Sequence, residues 1–339
     1  MTIKKPIRAQ IAGTGSYVPD QIVTNHDLEK QIATSDEWIV GRTGIRERRI
    51  AAKDQATSDL AVNAANEALK SAQVSPEEVD LIILATSMPD MFFPSTACIV
   101  QDRLGAVNAA AFDLSAACSG FLFALSVGEQ YICSGTFQKV LVIGSEVMSR
   151  LTNWADRRTC VLFGDGAGAV LLTPKFLEKD SPAYPEKGIL SIHLHTDGSL
   201  WDLICVPGGG STRPPSETVL KEHLNTIHMK GSETFKIAVR NLEEVAREGL
   251  KANALSVSDI QWLIPHQANI RILKAVADRL KFPKEKMVIN LDRFGNTSAA
   301  SIPLAFDEDV KKGTIKEGDK LLFLAFGGGL TWASAIVQY

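Results

Sequence analysis

An internal repeat constrains the fold more than any other feature of this sequence. The apolar run VDLIILATS at 79–87 corresponds to IQWLIPHQA at 260–268, an offset of 181 residues. Farther along, KVLVIGSEV at 139–147 corresponds to DKLLFLAFGGG at 319–329, an offset of 180 residues. Because two runs recur in the same order at nearly the same offset, the sequence predicts two similar units.

Each unit shows the pattern of strands covered by helices. Strand-like runs such as AAAFDLS at 109–115 alternate with segments of helical periodicity, which is typical of an α/β fold with helices on both sheet faces. With 339 residues, 45% of them hydrophobic, the chain can bury a large core. We predict an N-terminal half at 1–177 and a C-terminal half at 178–339, joined near the charged, proline-containing EKDSPAYPEKG at 178–188.

Charge, hydropathy and cysteine usage exclude several classes of function. The formal net charge of −3 gives no overall reason to expect a nucleic-acid partner. No apolar run approaches the ~18 residues of a membrane helix, and the N-terminal MTIKKPIRAQ lacks the apolar core of a signal peptide. Five irregularly spaced cysteines without a CxxC pair suit a reducing compartment and do not indicate zinc. We therefore expect a cytoplasmic protein with no membrane partner.

Three polar residues follow predicted strands, where ligands of α/β sheets collect. Cys118 follows AAAFDLS and begins a helix, His266 follows IQWLIP, and Asn296 follows MVINLD. The repeat offset makes the turns of Cys118 and Asn296 equivalent, so the two side chains could share one cleft. A cysteine at a helix N-terminus feels the positive end of the dipole, which stabilises a nucleophilic thiolate. Taken singly, each residue also fits a purely structural role in a turn or core.

Six motifs in a fixed order extend the pattern over the whole chain. They are TSDEWIVGRTGIRERR at 34–49, AACSGF at 116–121, FGDGAGAVLL at 163–172, PHQANIRI at 265–272, GNTSAASIP at 295–303 and FGGGLTW at 326–332. With these motifs the sequence resembles the β-ketoacyl-acyl carrier protein synthase III family. The resemblance implies a duplicated thiolase-like fold of layered αβαβα architecture. It also implies a homodimeric condensing enzyme that uses acyl-coenzyme A and malonyl-acyl carrier protein and has no permanently bound cofactor.

The resemblance further implies that Cys118, His266 and Asn296 form a catalytic triad. Cys118 would take an acyl group from acyl-coenzyme A, with the backbone N–H groups of Cys118 and Gly328 holding the oxyanion. Malonyl-acyl carrier protein would then lose carbon dioxide, and neutral His266 and Asn296 would donate hydrogen bonds to the developing enolate. The expected product is a β-ketoacyl-acyl carrier protein, and the reaction would initiate fatty acid synthesis.

Coenzyme A binding is assigned by the same resemblance. Trp38, Arg42 and Arg157 would bind the adenine end and the phosphates, and Ser232, where the family often has Asn, would contact the pantetheine arm. Charge pattern alone favours a solvated surface arginine for Arg42 in GRTGIRERR, and the resemblance reverses that interpretation.

Chain-length selection and carrier-protein docking complete what the resemblance implies. Phe93 matches the position that reaches across the dimer to close the partner's acyl pocket, so we expect acetyl or another short acyl group. The alternative is a core phenylalanine. On the helix after His266, basic residues recur at helical spacing: Arg271, Lys274 and Arg279. With Lys236 from another helix, they would dock the acidic carrier protein, although an ordinary solvated face has the same pattern.

Two further patterns suggest cofactors only weakly. GTGSYV at 13–18 lacks the third glycine of a dinucleotide fingerprint, and GDGAGA at 164–169 leads into a strand rather than a helix. His193 and His195 alternate along a strand and could reach one metal, but a third ligand is not evident. We therefore predict neither a nicotinamide cofactor nor a metal site.

Three other functions fit parts of the pattern. A cysteine hydrolase also uses Cys, His and Asn. A related acyltransferase of secondary metabolism would transfer the acyl group without decarboxylation. A silent acyl-coenzyme A binding protein would have lost part of the triad, whereas Cys118, His266 and Asn296 are all present.

Overall fold

The computed structural model describes residues 7–176 and 187–339. The predicted boundary between 177 and 178, and most of the predicted joining segment, lie outside the described residues. The exact division of the chain into halves therefore stays a prediction.

The chain alternates strands and helices from end to end. The strands are β1 (Ile7–Tyr17), β2 (Gln21–Thr24), β3 (Glu47–Ile50), β4 (Leu81–Ala85), β5 (Ala110–Leu114), β6 (Val140–Val147), β7 (Asp165–Phe176), β8 (Gly188–Thr196), β9 (Ile204–Cys205), β10 (His228–Met229), β11 (Trp262–Pro265), β12 (Lys320–Gly327) and β13 (Thr331–Gln338). The α-helices are α1 (Asn25–Glu29), α2 (Asp36–Thr43), α3 (Thr57–Ala72), α4 (Thr96–Leu104), α5 (Gly120–Ser134), α6 (Glu217–Lys221), α7 (Gly231–Ala252), α8 (Ile270–Leu280), α9 (Leu291–Phe294) and α10 (Ser301–Lys311).

Two mixed sheets repeat one arrangement. The first sheet has the order β1-β7-β6-β4-β5, and the second has the order β8-β13-β12-β11. In both sheets two antiparallel pairs (β1 with β7 and β7 with β6; β8 with β13 and β13 with β12) are followed by a parallel pair (β6 with β4; β12 with β11), and the first sheet adds β5 parallel to β4. The predicted correspondence of VDLIILATS with IQWLIPHQA, and of KVLVIGSEV with DKLLFLAFGGG, is thus confirmed as β4 with β11 and β6 with β12.

Five layers result from the way the helices cover the two sheets. Helix α5 packs against strands of both sheets, and α10 packs against β1, β7 and β11, so these two helices form the central layer. Helices α3 and α4 cover the outer face of the first sheet. Helices α7 and α8 cover the outer face of the second. The predicted α/β fold with layered αβαβα architecture is confirmed.

Glycines in the strands allow helices to approach the first sheet closely. Gly13 and Gly15 of β1 lie against α3, where an added Cβ on Gly13 would come within 2.5 Å of the Ala68 carbonyl oxygen. Gly168 of β7 lies against α10, where a Cβ would come within 2.6 Å of the Leu304 nitrogen. The glycines of GTGSYV and GDGAGA are therefore explained by helix–sheet packing rather than by phosphate binding.

Among the helices of residues 7–176 and 187–339, none is both long enough and apolar enough to cross a lipid bilayer.

Glycine at position 15 is required by this packing, so Gly15→Ala should destabilise the fold. The new methyl group would overlap the Ala64 carbonyl oxygen, and overpacking of this kind costs about 1–3 kcal/mol. Gly41→Ala is the matched control, because Gly41 lies in α2 with no atom within 4 Å of an added Cβ. Urea unfolding should show a loss for Gly15→Ala and none for Gly41→Ala. Equal stability of Gly15→Ala and the parent would contradict the packing argument.

Candidate active site

Cys118 lies where strand β5 turns into helix α5, as predicted. A single 3-10 turn, Ala117–Ser119, connects it to Gly120, the first residue of α5. Ala117 has a φ of +47°, a left-handed conformation that non-glycine residues rarely adopt. Gly327, at the end of β12, lies so close that an added Cβ would be 2.6 Å from the Cys118 nitrogen. The end of β12 thus packs directly against the turn that holds Cys118. Gly328, the residue predicted to hold the oxyanion, follows Gly327 in the sequence.

His266 follows strand β11 and is held in one orientation. Its backbone N–H donates to the Leu324 carbonyl at 2.7 Å, and its Nδ1 lies 2.6 Å from Ser301 Oγ. The Gln267 N–H donates to the same Ser301 oxygen at 3.3 Å, and the serine hydroxyl can donate its own proton to Nδ1. With that donation the proton of the neutral imidazole is on Nε2, and this nitrogen is a hydrogen-bond donor.

Burial decides the protonation states of the two groups. It lowers the pKa of His266 to about 4, so the imidazole is neutral at physiological pH. It raises the pKa of the Cys118 thiol to about 11, and the negative charge of Glu146 adds to this effect. The predicted thiolate stabilisation by the α5 N-terminus is thus opposed by desolvation, and the resting sulfur is a thiol. A Cys118–His266 ion pair of the hydrolase type does not match these states.

Asn296 occupies a buried turn after α9 with its side chain fixed. Its backbone N–H donates to the Leu162 carbonyl at 2.8 Å, and its own carbonyl accepts from the Gly164 N–H at 3.1 Å. Its side-chain Oδ1 accepts from the Ser298 N–H at 2.8 Å. Because the amide oxygen is occupied, the side chain has its NH₂ group available as a donor.

The equivalent turns of the two halves meet in space. Ala117 and Ser298 occupy matching positions in the repeat, and both have positive φ values, +47° and +49°. The Ser298–Ala300 turn packs against the Ala117–Ser119 turn, and the Ser298 hydroxyl lies beside the Cys118 sulfur, where it offsets part of the rise in the pKa of that thiol. Ser298 also contacts Asn296, and the following Ser301 contacts His266. The structure therefore brings all three predicted catalytic residues to one place.

Four residues of this site were missed in the sequence: Ser298, Ser301, Gln267 and Glu146. The first three lie inside the motifs GNTSAASIP and PHQANIRI, beside residues that were singled out. Glu146 could have been found from the sequence, because a carboxylate inside the apolar strand run KVLVIGSEV is unusual. In the structure it is completely buried.

The residues predicted to bind the adenine end of coenzyme A form one cluster. The Arg157 guanidinium lies 4.4 Å from the centre of the Trp38 ring, and that of Arg42 lies 4.8 Å from it. Arg157 also donates to the Ala33 carbonyl at 2.8 Å. Ser232 is exposed in the first turn of another helix, α7. Beside the cluster is a surface depression lined by Gln31, Ile32, Ala33, Trp154, Ala155 and Arg157.

The predicted docking residues lie on α7 and α8. Arg271 stands over the Phe235 ring at 5.6 Å, which places the first turns of the two helices side by side. Lys236 and Lys274 are exposed. The Arg279 guanidinium forms a 2.9 Å ion pair with Glu243, and the same carboxylate pairs with Arg247 at 3.0 Å. One carboxylate between two guanidinium groups leaves a net positive charge at this position.

Phe93 and its neighbour Phe92 are exposed, with relative accessibilities of 84% and 82%. Phe93 is therefore not a core residue of this chain.

His193 and His195 both contact the Glu248 carboxylate, at 3.2 and 2.6 Å. In the two described stretches, no group of three or more His, Cys, Asp or Glu side chains could hold a metal ion.

The sequence matches two parts of one protein family. Residues 112–198 match 3-oxoacyl-[acyl-carrier-protein] synthase III, and residues 250–339 match the C-terminal part of the same family. A beta-ketoacyl-[acyl-carrier-protein] synthase III of Methylococcus capsulatus is 52% identical over 331 residues, which is 98% of this chain and 99% of that protein. The chain belongs to the β-ketoacyl-acyl carrier protein synthase III family. It is thus an acyltransferase of the condensing-enzyme class.

Solved structures agree with this membership. The crystal structure of 3-oxoacyl-[acyl-carrier-protein] synthase III from Aquifex aeolicus superposes with a TM-score of 0.88 at 48% identity, covering 98% of this chain and 100% of that one. The synthase III of Pseudomonas aeruginosa superposes with the same TM-score at 40% identity, covering 98% of each chain. These relatives do not favour the hydrolase, secondary-metabolism or silent-binding alternatives.

The low pKa of His266 predicts a specific pH dependence of stability. The unfolded chain takes up this proton near pH 6.5 and the folded chain only near pH 4, so the parent loses stability between those values as pH falls. The destabilisation caused by His266→Gln should therefore shrink by about 2 kcal/mol between pH 7.5 and 5, as measured by urea unfolding.

His26→Gln is the matched control, because its hydrogen bond with exposed Glu29 raises the pKa of His26. The contribution of His26 to the stability of the folded chain is present below pH 6.5 and is lost as pH rises above that value. The destabilisation by His26→Gln should therefore grow as pH falls, whereas that by His266→Gln should shrink. A destabilisation by His266→Gln that stays constant from pH 7.5 to 5 would show that the histidine is not buried in neutral form.

Proposed function

We propose that Cys118, His266 and Asn296 are the catalytic residues of a synthase that uses acyl-coenzyme A and malonyl-acyl carrier protein. One observation carries the proposal: a thiol at a helix N-terminus lies beside two neutral donors whose orientations are fixed by Ser301 and Ser298. Neutral, pre-oriented donors suit the stabilisation of an oxyanion or enolate better than the activation of water.

In the first half-reaction, the Cys118 sulfur attacks the acyl thioester carbonyl, and coenzyme A leaves. The backbone N–H groups of Cys118 and Gly328 would hold the oxyanion. The close approach of Gly327 to the Cys118 nitrogen supports this role, because it brings the β12 end next to the attacking residue.

In the second half-reaction, malonyl-acyl carrier protein loses carbon dioxide, and negative charge develops on its thioester oxygen. His266 Nε2–H and the Asn296 NH₂ group would donate hydrogen bonds to that oxygen. Each such donor contributes ~3 kcal/mol in a site from which water is excluded. The resulting carbon nucleophile attacks the acyl-Cys118 thioester and gives the β-ketoacyl product.

Substrate binding follows from the exposed groups around the site. Trp38 would stack on the adenine, Arg42 and Arg157 would bind phosphates, and Ser232 would contact the pantetheine arm. The two guanidinium groups within 5 Å of the Trp38 ring centre support the first assignment. No cofactor needs to remain bound between turnovers.

The carrier protein would dock on α7 and α8 through basic residues, and the Glu243 partner of Arg279 is shared with Arg247, so positive charge remains there. These residues are Lys236, Arg271, Lys274 and Arg279. This assignment is supported by the adjacent first turns of the two helices.

Association with a second copy would cover the exposed loop that holds Phe92 and Phe93 and place Phe93 in the partner's acyl pocket. The five free cysteines support a reducing, cytoplasmic location.

Separating the half-reactions tests the mechanism. Cys118→Ala should lose the acyl adduct that mass spectrometry detects after incubation with acetyl-coenzyme A, yet retain malonyl-acyl carrier protein decarboxylation. His266→Ala should still be acylated, because neutral His266 is not the partner of the thiol, while condensation falls about a hundredfold or more. Cys133→Ala, a free cysteine elsewhere on α5, is the control and should retain both steps. Loss of the adduct in His266→Ala would instead support a Cys–His pair.

Removal of Arg42 should affect coenzyme A binding rather than chemistry. Arg42→Ala is expected to raise the KM for acetyl-coenzyme A about tenfold with little change in kcat, because a phosphate contact is the same in the ground and transition states. Arg158→Ala is the matched control, because Arg158 is an exposed arginine that follows Arg157 in the sequence and forms an ion pair with Asp156. An unchanged KM for Arg42→Ala would make Arg42 a surface charge only.

Phe93 should restrict the length of the acyl primer. Phe93→Ala is expected to raise the rate with octanoyl-coenzyme A relative to acetyl-coenzyme A, because the ring no longer fills the pocket. Phe92→Ala removes an equally exposed ring from the same loop and should leave the preference for acetyl unchanged. The pocket assignment is wrong if the two variants behave alike, or if the parent already prefers octanoyl-coenzyme A.

A further inference from the structure

A buried carboxyl group that the mechanism above does not use lies next to the nucleophile. Glu146, near the end of β6, has no solvent exposure. Its Oε2 accepts from the Ser87 N–H at 3.0 Å and from the Thr86 hydroxyl at 3.3 Å, and its Oε1 accepts from the Ser298 hydroxyl at 2.9 Å. All of these donors are uncharged. A carboxylate is costly to bury without a cation, so its presence here calls for a function.

Ser298 joins this carboxyl group to the thiol. Its hydroxyl donates to Glu146 Oε1 at 2.9 Å, and it lies beside the Cys118 sulfur, where a remaining lone pair of the oxygen can accept the S–H proton. One hydroxyl group therefore separates the proton of the nucleophile from a carboxylate oxygen. His266 offers no comparable acceptor, because Ser301 occupies its Nδ1 and the imidazole proton is on Nε2.

We propose that Glu146, acting through Ser298, accepts the proton of Cys118 during acylation and returns it after condensation. In the resting enzyme the thiol is protonated and Glu146 is ionised. As the sulfur attacks the acyl carbonyl, its proton moves to the Ser298 oxygen and the Ser298 proton moves to Glu146. Coenzyme A leaves as a thiolate and takes a proton from solvent.

The second half-reaction restores the resting state. The enolate formed by decarboxylation attacks acyl-Cys118, and the carbon–sulfur bond to Cys118 breaks with its electron pair on sulfur. That thiolate regains a proton from Ser298, which takes one from Glu146. The whole cycle consumes one proton from solvent, which is the proton that the released coenzyme A carries.

The environment of Glu146 suits transfer near neutral pH. Burial raises its pKa to about 7, so the carboxyl group can be ionised before acylation and protonated after it. Cys118 faces it from the turn before α5, and the pKa of that thiol is raised by the same negative charge. Charged groups on the neighbouring elements are bonded elsewhere: Asp59 of α3 to Arg103, Asp165 of β7 to Ser149, and Asp307 of α10 to Lys311.

The experiment measures the rate of Cys118 acetylation by acetyl-coenzyme A, with rapid quenching and mass spectrometry. At pH 7, Glu146→Gln and Ser298→Ala should each be slowed about a hundredfold, the scale of a lost general base. The double variant should be no slower than the single variants, since both interrupt one path. Asp165→Asn, which alters a buried carboxyl on the adjacent strand, is the matched control and should acetylate at the parent rate.

A pH profile separates proton transfer from a structural role. Above pH 9 hydroxide ionises Cys118 directly, so the deficit of both variants should shrink as pH rises, whereas a distorted site would stay slow at every pH. If Glu146 were only a neighbouring charge, its removal would lower the pKa of Cys118 and speed acetylation, and that result would overturn the proposal. Equal slowing by Asp165→Asn would overturn it as well.

Two outcomes keep this proposal distinct from the assignment of Cys118, on which it rests. A parent protein that acquires no acetyl group would contradict the proposed function itself. A parent that is acetylated, with Glu146→Gln and Ser298→Ala acetylated at the same rate, would overturn the relay alone. Should Glu146→Gln fail to fold, Ser298→Ala carries the test, because it keeps the carboxyl group and its backbone donor at Ser87.

Discussion

The close approach of the inner helices to the sheets is the constraint on which the site depends. Helices α5 and α10 share one layer between two sheets, and this requires small residues wherever backbones meet. Gly120 lies against Ala299, and Gly144 leaves room only for the Ala299 backbone. Both helices therefore begin at the same point in the molecule. Larger side chains would move the two turns apart and separate Cys118 from Ser298, whatever residues the site retained.

The same packing buries Glu146, His266 and Asn296, and this burial gives the site its chemical character. Desolvation raises the pKa values of Cys118 and Glu146 and lowers that of His266. At neutral pH the Cys118 thiol and the His266 imidazole are therefore uncharged, and the neutral donors His266 and Asn296 face a low-dielectric cleft. Two serines hold the polar groups in place. The Ser298 hydroxyl donates to Glu146, and the Ser301 hydroxyl contacts His266 Nδ1.

Much of this architecture could be predicted from the sequence, because repeats, apolar periodicity and turn positions are local properties. The repeat offset predicted two sheets and the meeting of the Cys118 and Asn296 turns, which the structure confirms. The direction of the Cys118 pKa shift could not be predicted, since a helix N-terminus is visible in sequence whereas the packing around the sulfur is not. The partner of Arg279 was hidden for a similar reason: Glu243 lies 36 residues away on another helix.

Neither half of the chain holds a complete site. The first sheet and α5 contribute Cys118 and Glu146, while the second half contributes His266, Asn296 and Ser298. Each half would also leave one face of its inner helix open to solvent, because that face packs against the other sheet. A fragment of either half would therefore lack both its function and part of its core. The two halves are therefore mutually dependent, and a substitution that moves the inner helix of one half calls for a compensating change in the other.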